Sequence, residues 1–392
     1  ASLPAPPAAP ATGKRVAVIG GGPGGLTAAY YLSLMGHKVT IYEQRPALGG
    51  MLRYGIPDYR LPPRILEADI QHILSTGIEV HTNFSIGRDA EMSELQKEYD
   101  AVYVCIGAHA DKKLGLEGED SQGVISAVEM LRGIGEGRLP DLQGKRVCVI
   151  GGGNVSMDAT RTAIRLGASS VTCVYRRRVE DMTALQEEID DAFAEGCQIL
   201  PLQAPSRIEA DENGHVTALW TRPQIIGGYG RDGRPRPRDA AQPEFRIPCE
   251  AVIVAIGQRI DSRPFEKAGL ATDRGTIHAG ENTFAGGDAV SGPATVIRAV
   301  AAGKVAAANI DNYLGFDHRI AVDVAIPAPQ LTNMSRCGRV NLKSRNLLEC
   351  RGDFELVKEG LTPEEAQQEA SRCLRCDHFG YGNFKGGRNF EW

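Results

Sequence analysis

The chain has 392 residues, of which 42% are hydrophobic and 24% charged, with a formal net charge of −5 at pH 7. That length suits two or three domains, and that composition suits a globular rather than a disordered protein. It excludes a basic surface for nucleic acid or anionic lipid, a bilayer span of about 18 apolar residues, and a start that reads as a secretory signal.

Residues 1–13 (ASLPAPPAAPATG) are Ala/Pro-rich and uncharged, the composition of an extended linker or of a frayed terminus. The chain opens on Ala1 rather than Met, as a processed or trimmed start would. Residues 15–19 (RVAVI) are a β-branched run. A glycine cluster, the helical stretch LTAAYYLSLMG and the strand-like KVTIYE follow, giving a β–turn–α–β unit. Gly20, Gly22 and Gly25 form G-x-G-x-x-G between strand and helix. The first permits the turn, the second lets backbone approach a pyrophosphate, and the third lets helix and strand pack closely. Free N–H groups at the helix start would face the phosphates. Glu43 ends the next strand, where a carboxylate accepts hydrogen bonds from a ribose. Gly49 and Gly50 then let the chain pass close to a bulky ligand.

A strand (AVYVCIG, 101–107) ends in glycine, and at Arg146 the first unit repeats as RVCVI, GGGN, VSMDATRTAIRLGA and SVTCVYRRR. Gly151, Gly153 and Ser156 occupy the three glycine places. The second strand ends in Arg176, Arg177 and Arg178 instead of an acid. Arginine binds a 2′-phosphate that an acid would repel, so this unit reads as preferring NADP(H) over NAD(H); the bland reading is a solvated basic turn. Residues 222–243, rich in Arg, Gly and Pro, read as an exposed loop or hairpin. AVIVAIG (251–257) is another glycine-ended strand. NTFAGGDAV (282–290) offers Asp288 to a ribityl chain, and the helix from Ala294 would aim its N-terminus at a flavin carbonyl. Residues 316–392 lack this periodicity and hold one clear helix, TPEEAQQEASRCLRC, which Thr362 and Glu365 can cap.

Nine cysteines are an odd number in a chain too large to need disulfides, which points to reduced thiols or metal ligands in a reducing, cytoplasmic setting. Cys105, Cys148, Cys173, Cys197 and Cys249 read as buried free thiols, and the nicotinamide unit lacks the C-x-x-C of thiol-disulfide chemistry. Cys337, Cys350, Cys373 and Cys376 fall together near the end. Four thiolates there could hold a [4Fe-4S] cluster or close a zinc site, or stay metal-free; His378 is an optional substitute ligand.

The stretches VAVIGGGPGGLTAA, GGMLRYGIPDYRLP, CVIGGGNVSMDATR, VYRRR and TFAGGDAV resemble the glutamate synthase small-subunit-like flavoprotein oxidoreductases. That architecture also occurs in the flavin/NADPH half of dihydropyrimidine dehydrogenase and in the large subunit of NADH-dependent ferredoxin:NADP oxidoreductase. The resemblance spans about residues 15–315. It implies an α/β fold of two Rossmann-like domains: an FAD domain (14–110 and 281–315) with an NADP(H) domain (111–280) inserted, followed by an extension (316–392). It implies that Gly20, Gly22, Pro23, Gly25, Glu43, Gly50, Arg53, Val80, Gly107, Gly287, Asp288 and Thr295 line the FAD site. Gly151, Gly153, Asn154, Val155, Arg176, Arg177 and Gly257 would serve the nicotinamide cofactor. Two departures stand out. No cysteine precedes Cys105, so the iron–sulfur domain that opens the glutamate synthase type has no ligands here. Asp181-Met182-Thr183-Ala184 also replaces the Met-Pro-Ala common in relatives.

A nicotinamide gives two electrons at once and an iron–sulfur cluster takes one, and a flavin converts between them. The expected protein is therefore a diaphorase-type subunit of a larger complex, passing electrons between NADP(H), FAD and iron–sulfur partners or ferredoxin, with electron bifurcation as one version. No side chain is required as a catalytic acid or base. The alternatives are a glutamate synthase small subunit without its iron–sulfur domain, and a non-catalytic assembly module with a C-terminal zinc site.

Overall fold

Two β-branched runs, each followed by glycines, organise the molecule. The computed structural model describes residues 7–230, 233–267, 272–273, 276–277, 282–319 and 338–373. The first half contains β1 (Arg15–Ile19), α1 (Pro23–Leu34), β2 (Lys38–Tyr42), α2 (Pro63–Leu74), β3 (Glu79–His81) and β4 (Ala101–Val104). The second contains β5 (Val124–Ser126), α3 (Ala127–Gly135), β6 (Arg146–Ile150), α4 (Asn154–Arg165), β7 (Ser170–Tyr175), α5 (Gln186–Ala194) and β8 (Gln198–Pro201). An antiparallel stretch follows: β9 (Gln203–Ala210), β10 (Val216–Tyr229), β11 (Pro235–Asp239) and β12 (Phe245–Pro248). The chain then returns through β13 (Ala251–Val254), β14 (Thr283–Ala285), α6 (Val296–Tyr313) and, in the extension, α7 (Pro363–Ser371).

The two parallel sheets repeat one plan. Their orders are β14-β4-β1-β2-β3 and β5-β13-β6-β7-β8, with each glycine-ended first strand at the centre. All pairings in them are parallel. β1 and β6 each bury four of five residues, as strands covered on both faces must. Val16, Val18 and Ile41 pack with Leu26 and Leu32 of α1 and with Ala307 and Ile310 of α6. Val147, Val149 and Val171 pack with Met157 and Ala163 of α4 and with Ile189 of α5.

The Arg/Gly/Pro-rich stretch is a hairpin, β10 against β11, in a four-stranded antiparallel sheet that the sequence reading did not anticipate. The described part of the N-terminal stretch is tied down: the Ala9 and Thr12 amides donate to Leu34 O (2.8 Å) and Gly36 O (2.9 Å). The helix after Thr362 forms with the expected reciprocal cap, Glu365 N to Thr362 Oγ1 at 3.2 Å and Thr362 N to Glu365 Oε2 at 2.9 Å. Two strands of linker join the halves, Ala110–Asp111 pairing antiparallel with Gln258–Arg259.

One charged cluster is fully enclosed. Glu195 and Arg161 are 0% and 1% exposed, and Arg161 reaches Glu195 at 2.7 Å and Glu188 at 3.1 Å while Arg165 pairs with Glu195. Removing one partner from such a group leaves uncompensated charge in a dry site. Glu195→Ala is therefore expected to cost about 3–5 kcal/mol in denaturant unfolding.

Candidate functional site

The C-terminal edges of both parallel sheets open on one cleft of about 980 Å³. This is at the upper end of the roughly 300–1,000 Å³ of ligand pockets. Gly20, Gly22, Pro23, Glu43, Gly50, Gly107, Gly287, Asp288 and Thr295 line it from the first half, and Asn154 and Val155 from the second.

The glycines at the first turn are needed for close approach. A Cβ on Gly25 would sit 1.9 Å from Gly20 O, so α1 could not pack on β1. Gly50 has φ +53, and its Cβ would lie 2.7 Å from Gly22 Cα: two backbone loops meet there with no room for a side chain. α1 and α6 both begin without a side-chain cap, at Gly22 and Thr295, which leaves N–H groups and positive dipole ends for an anion or a polarised carbonyl. Glu43 is buried and accepts from Gly21 N (2.7 Å) and Arg45 N (2.8 Å). Burial nevertheless holds its carboxyl above the usual range, as it does for Asp288, which accepts from the Ala294 amide.

At the second turn Ser156 is fully buried, and its hydroxyl donates to Ala255 O (3.3 Å) and accepts from Gly153 N (3.3 Å). Serine thus fills the third glycine place while bonding the turn to the neighbouring strand end. Arg178 is engaged by Asp181 at 2.9 Å, and Arg177 Nε donates to Pro235 O at 2.8 Å. Arg176 pairs with no carboxylate among the described residues. Burial, with the charges of Arg177 and Arg234, presses its pKa below the usual value.

Several expected residues lie off the cleft lining. Arg53 donates to Leu48 O (2.6 Å) and pairs with Glu67 (2.6 Å), fastening the Gly49–Gly50 loop to α2. Val80 packs on the first core. Gly25, Gly151, Gly153, Arg176, Arg177 and Gly257 are outside the lining as well. Cys105, Cys148, Cys173, Cys197 and Cys249 are buried free thiols, and burial pushes Cys197 up to about 12 and Cys105, on the cleft wall, higher still. Cys350 is buried among Tyr59, Leu347, Phe354 and Val357, whereas Cys373 is exposed. Cys337, Cys376 and His378 lie outside the described residues.

The sequence reading missed Arg45, His109, Arg132 and Gln258, all on the cleft wall. Arg45 and His109 lie three and five residues beyond the ends of β2 and β4, at the carboxyl edge of the sheet where ligands bind in open α/β folds, and that was the available signal. Among the described residues Arg45 Nε, Arg132 Nε and Gln258 Nε2 are buried without a hydrogen-bond partner, as the wall of a site for a large polar ligand would be. Burial, with the Arg45 and Arg132 charges, pushes His109 down to about 4 from 6.5. The folded protein then binds fewer protons than the unfolded chain between these values. The stability this gives is complete above 6.5 and is lost as pH falls toward about 4, amounting to about 3 kcal/mol at most. His109→Gln should flatten the fall in Tm across that acid window relative to the parent; an unchanged slope would contradict the assignment.

The comparisons with known proteins agree with this geometry. The chain is 40% identical over 391 residues to the beta subunit of the NADP(+)-dependent formate dehydrogenase of Moorella thermoacetica, covering 94% of this chain and 55% of that protein. It thus spans little more than half of that relative. It is 35% identical over 326 residues to the glutamate synthase [NADPH] small chain of Escherichia coli (strain K12), covering 77% of this chain and 69% of that one. A variant of FprA from Mycobacterium tuberculosis superposes with a TM-score of 0.68 at 20% identity, covering 78% of this chain and 85% of that one, which shows the fold. Residues 14–303 match the pyridine nucleotide-disulphide oxidoreductase family, and the chain belongs to it, on its glutamate synthase small-chain-like side.

Proposed function

We propose that the chain is the flavin-bearing subunit of a multi-subunit oxidoreductase, moving hydride between NADP(H) and FAD and exchanging single electrons with iron–sulfur partners. One observation carries the reading: Gly20 and Gly22 before α1, and Asn154 and Val155 in the first turn of α4, face one cleft at the C-terminal edges of two parallel sheets. FAD fits the first half, where Gly20, Gly22 and Gly50 bring bare backbone to the cleft wall and where Arg45 Nε is buried without a hydrogen-bond partner among the described residues. When bound, the flavin supplies the conversion between two-electron and one-electron transfer. The protein's part is to bind and orient: Glu43 and Asp288 toward hydroxyls, the α1 N-terminus toward phosphates, Asn154 and Val155 at the nicotinamide side, and Arg176 and Arg177 toward a 2′-phosphate.

The match to the formate dehydrogenase subunit covers 94% of the chain and the match to the glutamate synthase small chain 77%, so the first is the better guide to the C-terminal extension. Within this proposal Cys337, Cys350, Cys373 and Cys376 hold a [4Fe-4S] cluster, with zinc as the alternative. A cytoplasmic location goes with it, since an odd set of nine cysteines suits a reducing compartment. Ferredoxin or another iron–sulfur subunit is the electron partner, and bifurcation is one form the traffic could take.

Purified protein should be yellow, and anaerobic NADPH should bleach the flavin faster than NADH does. Colourless protein, or a flavin that NADPH leaves oxidised, would overturn the reading. Iron with acid-labile sulfide on metal analysis supports the cluster; zinc, or no metal, rejects it.

A further inference from the structure

We propose that Tyr59 and Arg60 are positioning residues: a clamp that sets the angle at which the nicotinamide half sits over the flavin half. It rests on the hydride-transfer reading above and adds what holds the two binding turns in register.

The halves are joined by two linker strands lying side by side, Ala110–Asp111 and Gln258–Arg259. A pair of short adjacent linkers is a hinge: it holds the halves together while leaving rotation about its own axis soft. The Arg45–Glu136 pair (3.6 Å) and the packing of Gly135 against Arg53 and Tyr54 also cross between the halves, but neither is an enclosed charge contact of the kind that holds one angle. Arg60 leaves the first half and reaches the second, placing one guanidinium nitrogen 2.8 Å from both carboxylate oxygens of Asp158 and another 2.9 Å from Glu188. Asp158 stands on α4, one helical turn beyond Asn154, which lines the cleft. The contact is therefore made on the helix whose first turn is meant for the nicotinamide dinucleotide.

Tyr59 supports it. Its ring is fully buried, lying 3.9 Å from the Arg165 guanidinium and 4.9 Å from that of Arg161, and its hydroxyl donates to Asp158 O at 3.3 Å. The extension closes the joint from outside. Val357 N donates to Tyr59 O at 3.0 Å, Cys350 and Val357 pack on the Tyr59 ring, and Lys358 pairs with Glu187 on α5. Three parts of the chain thus meet on two adjacent side chains. Asp158 is buried deeply enough that its carboxyl rises to about 6 even with Arg60 beside it, so without Arg60 that carboxylate would have to move or take up a proton.

Packing alone would show as lost stability, whereas a clamp shows in the reaction geometry. Near-attack alignment is steep in distance, so a small rotation lowers the transfer rate without weakening dinucleotide binding in proportion. The test is single-turnover flavin reduction by NADPH, done anaerobically on the full chain with Arg60→Met, Arg60→Lys and Asp158→Asn. Asp158→Asn keeps an acceptor for Arg60 and guards against a variant that fails to fold. Arg60→Met and Asp158→Asn should lower the limiting reduction rate at least tenfold with the NADPH Kd within about threefold, and should weaken the long-wavelength charge-transfer band. Arg60→Lys should recover part of both. Hydrogen exchange at the Gly151–Val155 turn of the flavin-free variants should rise. A lower Tm with unchanged reduction rate, charge-transfer band and exchange would overturn the clamp. If NADPH fails to reduce even the parent flavin, the hydride-transfer reading falls, and the exchange measurement still decides the clamp.

Discussion

Gly50→Ala should yield protein that has lost its flavin, while Gly77→Ala should yield protein that keeps it. Both glycines sit at positive φ, +53 and +91, so both alanine variants carry backbone strain, and Gly50, at ψ −136, lies in a region essentially confined to glycine. They differ in what a methyl group meets. At Gly77 nothing among the described residues lies within 4 Å, whereas at Gly50 the new carbon falls 2.7 Å from Gly22 Cα. Gly22 belongs to the turn that leads into α1, so relief of the clash must push the two loops apart. The pyrophosphate then loses the close backbone approach that gives the glycine turn its use. At about 1.4 kcal/mol per tenfold, a loss of some 3 kcal/mol in FAD affinity is more than a hundredfold, enough to strip the cofactor during purification. Flavin content per chain, read from the absorbance spectrum, checks this. Equal flavin in both variants would mean that the contact between the loops has no part in holding the cofactor.

Arg176→Ala/Arg177→Ala should cut kcat/KM for NADPH by about 100-fold or more and change that for NADH by less than about threefold. Charge-assisted hydrogen bonds contribute roughly 1.5–3 kcal/mol each, and NADH has no 2′-phosphate to receive them. The local charges favour this role. Arg178 is already engaged by Asp181, whereas the pKa of Arg176 is pressed down by burial and by its Arg177 and Arg234 neighbours. An incoming phosphate dianion relieves that repulsion. Equal losses with both nucleotides would assign the arginines to the fold rather than to the choice of cofactor.

Both Rossmann units were legible in the sequence because their signals are local. A β-branched run, a glycine turn and a helix lie within some twenty residues, and each part constrains the next. The sheet order then followed the repeat, with glycine-ended 101–107 and 251–257 returning beside β1 and β6. The antiparallel sheet was not legible. β9 contains Pro205 and is half-buried along most of its length, so no two-residue alternation marks it. Residues 222–243 announced a turn-rich hairpin but not the partners of its strands.

Around the site, residues in a glycine motif were visible, and residues brought in by tertiary contact were not. His109 reaches the cleft from the connection between β4 and the linker strand Ala110–Asp111, and Arg60 finds Asp158 across 98 positions of sequence. Arg53 carried a strong motif context, GGMLRYGIP, but it serves the loop by bonding to Leu48 O and Glu67 rather than facing the cleft. Proximity to a motif indicates that a residue matters locally; only the packed fold indicates toward what.

The most direct test is an anaerobic titration of the full chain with NADPH, following the flavin spectrum while counting bound dinucleotides. The account predicts FAD and NADP(H) bound together on each chain, bleaching of the flavin, and a charge-transfer band from stacked rings. A chain that carries a single dinucleotide when saturated, or a flavin that stays oxidised beside bound NADPH, would contradict it.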